Sequence, residues 1–352
     1  MPIGDRGYYE APSRRTYLKL TGGAALTAGL AGCLGDDDDD DDDTGLTELT
    51  RLESEGGIVI PVSEYAEDEG VFADHGLTID VEIVPFGRYN RSVVDDEAQI
   101  GSPSATDQLG FMAAGEDLVL VGQVLNWFHR TFASADADDI NSPPDLEDRV
   151  LGLPPEGSTT TTFYDVWWKE LFDFDIWNDP SETISTGAPA LYELMVDGEV
   201  DAMMQFSGQT IQGTADERFK VIWDPIEALE ERGITPPPVT ANCTRMSFLE
   251  ENTETVHSYL ESWDEAKALA AEEPDQVLDE YGELIGIEAG GDEAEVVEQM
   301  FADDIVFGPT FYDDDVIDEH YGFFQDVAEA TGMDLVDRDV AFMSQTELED
   351  ML

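Results

Sequence analysis

Gly198-Glu199-Val200-Asp201-Ala202-Met203-Met204 repeats an idea already present at Asp95-Asp96-Glu97-Ala98-Gln99-Ile100-Gly101. In both, a helical pattern ends in an acidic turn, and a short apolar strand emerges toward whatever lies beyond its carboxyl end. Around the first copy the chain alternates. Residues 57–62 (GIVIPV) read as a strand and 64–75 as a helix stopped by Gly76. Residues 77–84 alternate apolar and polar as a half-exposed strand, 89–96 as a short helix, 107–114 as a helix closed by Gly115, and 117–124 as a buried strand. After a polar stretch at 133–145 the second copy runs likewise. Strand 149–154, a helix through Leu171, helix 191–197, the quoted strand and strand 220–223 follow one another. Strands separated by helices of about ten residues predict an α/β fold, a mostly parallel sheet with helices on both faces. Two such units predict two lobes with a cleft between them.

Composition excludes several classes. The 352 residues carry 16 Lys and Arg against 81 Asp and Glu, a net charge of −65. Such a chain has no affinity for nucleic acid. Disorder is excluded too, since 41% of residues are hydrophobic, 10% are aromatic, and apolar patterning recurs throughout. A real core under such charge fits work in molar salt, where the screening length is about 3 Å. In this respect the sequence resembles those of extreme halophiles.

The N-terminus carries an address. Ser13-Arg14-Arg15-Thr16-Tyr17-Leu18-Lys19 is followed by an uncharged run, 20–30, and by Leu30-Ala31-Gly32-Cys33. The pattern resembles a twin-arginine export signal (1–32, carrying Arg14 and Arg15) joined to a lipobox whose Cys33 is lipidated. The apolar run is too short for the roughly 20 residues of a spanning helix. Asp36 through Asp43 are eight consecutive aspartates, and 33–55 is expected to be an extended, acidic tether. Removing 1–32 takes away four basic and two acidic residues. The mature chain keeps 12 basic against 79 acidic side chains, a net −67.

Chemistry-bearing motifs are sparse. Cys33 and Cys243 are the two cysteines, and His75, His129, His257 and His320 show no metal-ligand spacing, so no metal site and no cofactor are expected. No Walker loop, G-x-S-x-G, H-E-x-x-H or complete G-x-G-x-x-G occurs, which disfavours an enzyme. Cys243 reads as a small hydrophobe in a strand, and the histidines as surface or core filler.

Three segments carry a family resemblance. Gly70-Val71-Phe72-Ala73-Asp74-His75-Gly76-Leu77 is like G-x-F-x-x-x-G-L. Asp145-Leu146-Glu147-Asp148-Arg149-Val150-Leu151-Gly152 is like D-L-K-G-K-x-x-G, with Asp148 a departure, and Gly198-Glu199-Val200-Asp201-Ala202 is like G-x-V-D-A. With the closing helix from Phe324 to Gly332, their order resembles the substrate-binding proteins of ABC importers of the nitrate, sulfonate, taurine and thiamine-pyrimidine type. The resemblance covers about 57–350. It implies the two-lobed type II periplasmic-binding-protein-like fold, with 56–131 and 240–352 as lobe one and 132–239 as lobe two, closing by a hinge. It further implies a monomer, anchored by lipid on the extracellular face of the cell membrane, that passes a small-molecule solute to a permease and ATPase. Two other readings stay open: a pyrimidine-biosynthesis-type enzyme on the same fold, and a ligand-sensing lipoprotein without a transporter.

In open α/β sheets ligands bind beyond strand carboxyl ends, where helix N-termini offer free N–H groups. The expected ligand-binding residues are therefore Ser63; Ser102, Ser104 and Thr106; Asn126 and Trp127; Gly157, Ser158, Thr159 and Thr160; and Gln205 and Ser207. Ser102 and Ser104 are alternatively helix caps, and Trp127, Trp167 and Trp168 alternatively core. Arg88, Arg91 and Arg130 either pair bidentately with a sulfonate or carboxylate or neutralise neighbouring acids.

Overall fold

The computed structural model describes residues 45–352 except Gly157, Ser207 and Asp304. The expected export signal with Arg14 and Arg15, the expected lipidation site Cys33 and the aspartate run lie outside the described residues, as do the site candidates Gly157 and Ser207. Before the first crossing come β1 (Thr47–Ser54), β2 (Leu77–Val84), β3 (Ile100–Gly101) and β4 (Val119–Leu125). Then follow β5 (Thr131–Ser134), β6 (Val150–Leu153), β7 (Glu182–Ser185), β8 (Ala202–Met204), β9 (Phe219–Trp223) and β10 (Thr240–Thr244).

These strands form three sheets, β1-β2, β3-β10-β4 and β7-β6-β8-β5-β9. The chain leaves the β3/β4 side between β4 and β5 and returns between β9 and β10. The expected mostly parallel sheet is not what forms: β1-β2 is parallel, both pairs of β3-β10-β4 are antiparallel, and the five-stranded sheet is mixed. β1 with β2, and β6 with β7 and β8, pair in parallel, as helical crossovers require. The two strands that cross over, β5 and β10, run antiparallel to their neighbours.

Several segments depart from the sequence expectation. Residues 47–54, expected in the tether, form β1, whose centre is buried although it carries Arg51 and Glu53. A strand with buried charges defeats a reading based on apolar alternation. Residues 57–62, expected as a strand, instead begin the helix Val59–Asp68, whose buried Val59, Val62, Tyr65 and Ala66 follow helical spacing. A short apolar run does not distinguish strand from helix until its continuation is read. The single helix expected over 64–75 is broken at Gly70, whose φ of 82° is left-handed, and resumes as Val71–Asp74.

The C-terminal third spans both sets of sheets. The helix Thr253–Glu272 packs on Val59–Asp68, while Asp314–Thr331 packs on Thr159–Phe172 through Phe323 stacked on Phe163 at 5.4 Å. Phe324 meets Phe342 at 6.2 Å, and Met343 N–H bonds the Leu120 carbonyl on β4. Residues 306–310 ride along β4. Asn126 N–H reaches the Val306 carbonyl, Gly308 N–H that of Val124, and Gln123 N–H that of Pro309, at 2.9–3.1 Å. Gly122 permits this approach, because a Cβ there would run into the Thr310 carbonyl. Among the described residues no helix is long and apolar enough to cross a membrane.

Candidate functional site

The ends of β3, β6 and β8 and the crossing segment 126–130 supply all the expected site residues but Ser63. Ser104 occupies the N-cap position of the helix Ala105–Ala113, which follows β3, without a side-chain cap bond. Its hydroxyl lies instead 3.1 Å from Thr106 Oγ1 and 3.0 Å from Thr159 Oγ1, and the two threonine hydroxyls are 2.7 Å apart. Thr159 opens the helix Thr159–Phe172 after β6, capped by Ser158, whose Oγ accepts from Thr161 N–H at 3.3 Å. Three hydroxyls from the two sides of the crossing thus meet where two helix N-termini present free N–H groups. Each hydroxyl both donates and accepts, so the cluster can turn toward an oxygen or a nitrogen of a solute.

Beside it lies an aromatic corner. Trp127 is fully buried, its ring 4.8 Å from Phe163, 4.8 Å from Trp167 and 5.6 Å from His129. Thr160, one residue past the hydroxyl cluster, sits with its Oγ1 3.2 Å from His129 Nδ1. Burial pushes the His129 imidazole down to about 3, so it is neutral. Gln205 follows β8, fully buried. Its backbone N–H bonds the Arg130 carbonyl at 2.9 Å and its Nε2 donates to the Ala188 carbonyl at 3.0 Å. Trp167 and Trp168 are both core.

Other expected residues are placed elsewhere. Ser63 is buried inside the helix Val59–Asp68, because the strand it was to follow is that helix. Ser102 is buried against a charged network, its Oγ donating to Glu53 Oε1 at 2.9 Å and its carbonyl accepting from Tyr89 OH. In that network Arg51 bonds Glu53 and Tyr259 at 2.5 Å each and lies over the Trp263 ring at 4.5 Å. Asn126 donates to the Phe307 carbonyl at 3.1 Å and faces a groove of about 490 Å³ lined by Asp224, Glu227, Glu230 and Asp303.

The three arginines neutralise acids: Arg88 pairs with Glu97 and Glu82, Arg91 with Asp95, and Arg130 with Asp224. Cys243 is buried in β10, where burial pushes its thiol up. His129 was missed by sequence reading. Its one sequence signal is its place between two strands in an otherwise aromatic run, Trp127-Phe128-His129.

Comparison with known proteins follows this geometry. No curated protein matches the sequence. Among solved structures, the periplasmic aliphatic sulphonate-binding protein SsuA from Escherichia coli is similar with a TM-score of 0.69 at 15% identity, over 84% of this chain and 92% of that one. The alkanesulfonate-binding protein SsuA from Xanthomonas axonopodis pv. citri, bound to MOPS, gives 0.62 at 14% identity over 83% and 95%. A Candida albicans protein described as exhibiting the generic periplasmic binding protein structural fold gives 0.55 at 15% over 87% and 94%. These likenesses establish the fold. The family model described as NMT1/THI5 like matches residues 63–277, more than half of the chain, and the chain accordingly belongs to the NMT1/THI5-like family with a periplasmic-binding-protein fold.

Proposed function

We propose that the protein is an extracytoplasmic solute-binding protein that captures a small organic solute or oxoanion and delivers it unaltered to an ABC import permease and its ATPase. The observation that carries this reading is the hydroxyl cluster of Ser104, Thr106 and Thr159. It joins two helix N-termini from opposite sides of the chain crossing. Residues 56–131 with 240–352 and residues 132–239 act as two lobes that close by bending at the crossings. The sulfonate-binding names of the similar structures support the solute class. In this reading the N-terminal pattern exports the chain by the twin-arginine route. Cys33 then anchors it by lipid on the outer face of the membrane, and the high acidity keeps it soluble in molar salt.

Calorimetry in molar salt against taurine-like sulfonates, nitrate and aminopyrimidines tests the reading. One solute is expected to bind per chain, and no binding by the whole panel, with uptake by cells unaffected when Ser104 and Thr159 are changed to alanine, would sink it. Anchoring is tested by Cys33→Ser, which is expected to release the protein from membranes into the medium.

A further inference from the structure

Asn90 stands on the helix Phe86–Arg91 after β2 and is buried against the start of the helix Ala105–Ala113. Its amide spans that start. Oδ1 accepts from Ser104 N–H at 3.1 Å, and Nδ2 donates to Asp107 Oδ2 at 2.5 Å. The Asn90 carbonyl is held in turn by Gln108 Nε2 at 2.9 Å. One side chain thus ties the Asp107 carboxylate to the residue whose hydroxyl meets Thr106 and Thr159 in the cluster. Asp107 follows Thr106 directly and is exposed, and among the described residues no lysine, arginine or histidine pairs with it.

An acid in the first turn of a helix complements the positive end of its dipole. Asp107 does so here, so this helix start already has its anion and does not need one from a solute. Charge elsewhere points the same way. Each of the twelve described lysines and arginines is bonded to a carboxylate or a carbonyl oxygen. A solute at the cluster therefore meets a carboxylate held in place and no unengaged cation. Desolvation raises the Asp107 carboxyl above its ordinary value, with the Asn90 bond acting in the other direction. A partly desolvated carboxylate gains more from a cation than one fully in water does.

We propose that Asp107 is a specificity-determining residue of the site, and that the solute carries a protonated nitrogen which the Asp107 carboxylate receives beside the hydroxyls of Ser104, Thr106 and Thr159. This rests on the solute-binding reading above and narrows its solute class.

Calorimetry in molar potassium chloride at neutral pH tests it with two matched pairs. Ethanolammonium is compared with ethylene glycol, and taurine with ethanesulfonate; the first member of each pair carries a protonated nitrogen and the second does not. Each is titrated into the wild type, Asp107→Asn and Asp107→Glu. In at least one pair the protonated member is expected to bind roughly tenfold tighter or more, as a charge-assisted bond gives. Asp107→Asn is expected to cut that preference below about threefold, and Asp107→Glu, which keeps the charge, to retain more of it. Circular dichroism checks the fold of each variant; should Asp107→Asn not fold, Asp107→Ser replaces it. The assignment is overturned by the absence of such a preference in both pairs, or by a preference that stays above about threefold in Asp107→Asn. If ethylene glycol or ethanesulfonate binds as tightly as its protonated partner and Ser104→Ala weakens it, the solute-binding reading stands while this assignment falls. If no member of either pair binds, this assignment falls, and the solute-binding reading is decided by its own panel.

Discussion

The chain holds two buried polar regions that handle polarity in opposite ways. Around Arg51 the charges are real and most of their bonds are made within the protein, Arg51 Nη2 being the guanidinium nitrogen without a partner among the described residues. Glu53 and Tyr259 accept or share the guanidinium hydrogens, Ser102 donates to Glu53, and Trp263 covers the cation. Around His129 the imidazole is neutral, and its Nε2 and the Nε1 of neighbouring Trp127 are buried without a partner among the described residues. The first arrangement can only hold β1, the segment after β3 and the helix Thr253–Glu272 together.

The contrast breaks most visibly at Arg51. Arg51→Ala leaves Glu53 buried without its cation and is expected to cost about 3–5 kcal/mol in denaturant unfolding. A loss under about 1 kcal/mol would show that the pair is not the clamp described.

Acid acts next, and on the other region. An imidazole whose folded pKa lies below its ordinary value of 6.5 favours folding only while neutral. Its contribution is whole above about pH 6.5 and is lost as pH falls toward the folded value. His129 is held down to about 3 and His320 to about 4, both by burial. At about 1.4 kcal/mol per pH unit, each is expected to withdraw on the order of 3 kcal/mol between pH 6.5 and 4. Unfolding of the wild type and His129→Gln across that range measures the His129 share. Parallel curves would mean that the imidazole is not buried as described.

Two serines two residues apart then sharpen the comparison. Ser102→Ala removes a bond to a carboxylate and is expected to cost about 1.5–3 kcal/mol of stability. Its solute affinity should change only as far as the fold does. Ser104→Ala is expected to leave stability within about 0.5 kcal/mol and to cost about 0.5–1.5 kcal/mol of binding. The opposite pattern would interchange the roles assigned to the two hydroxyls.

Much of the fold was legible because its strands behave locally. β2 alternates, β4 and β6 are apolar runs bounded by turns, and β10 carries a buried cysteine where a small hydrophobe belongs. β1 was illegible because its partners for Arg51 and Glu53 come from residues far along the chain. β7 was missed for a related reason, since Glu182–Ser185 is a half-exposed edge with little apolar content. Of the site, Ser104 and Thr159 could be read from their place at helix starts. Their contact with each other could not, and His129 gives no local sign of lacking a partner.

The position of β10 has a consequence for how the chain is made. It fills the middle of its sheet, between β3 and β4, yet it is the last strand formed. Arg51 likewise waits for Tyr259, 208 residues later. Until that stretch has left the ribosome, β3 and β4 present open edges with no partner, which invites aggregation. Closure over such separations is slow. A product truncated before residue 244 is therefore expected to be degraded or to aggregate rather than to survive as half a protein.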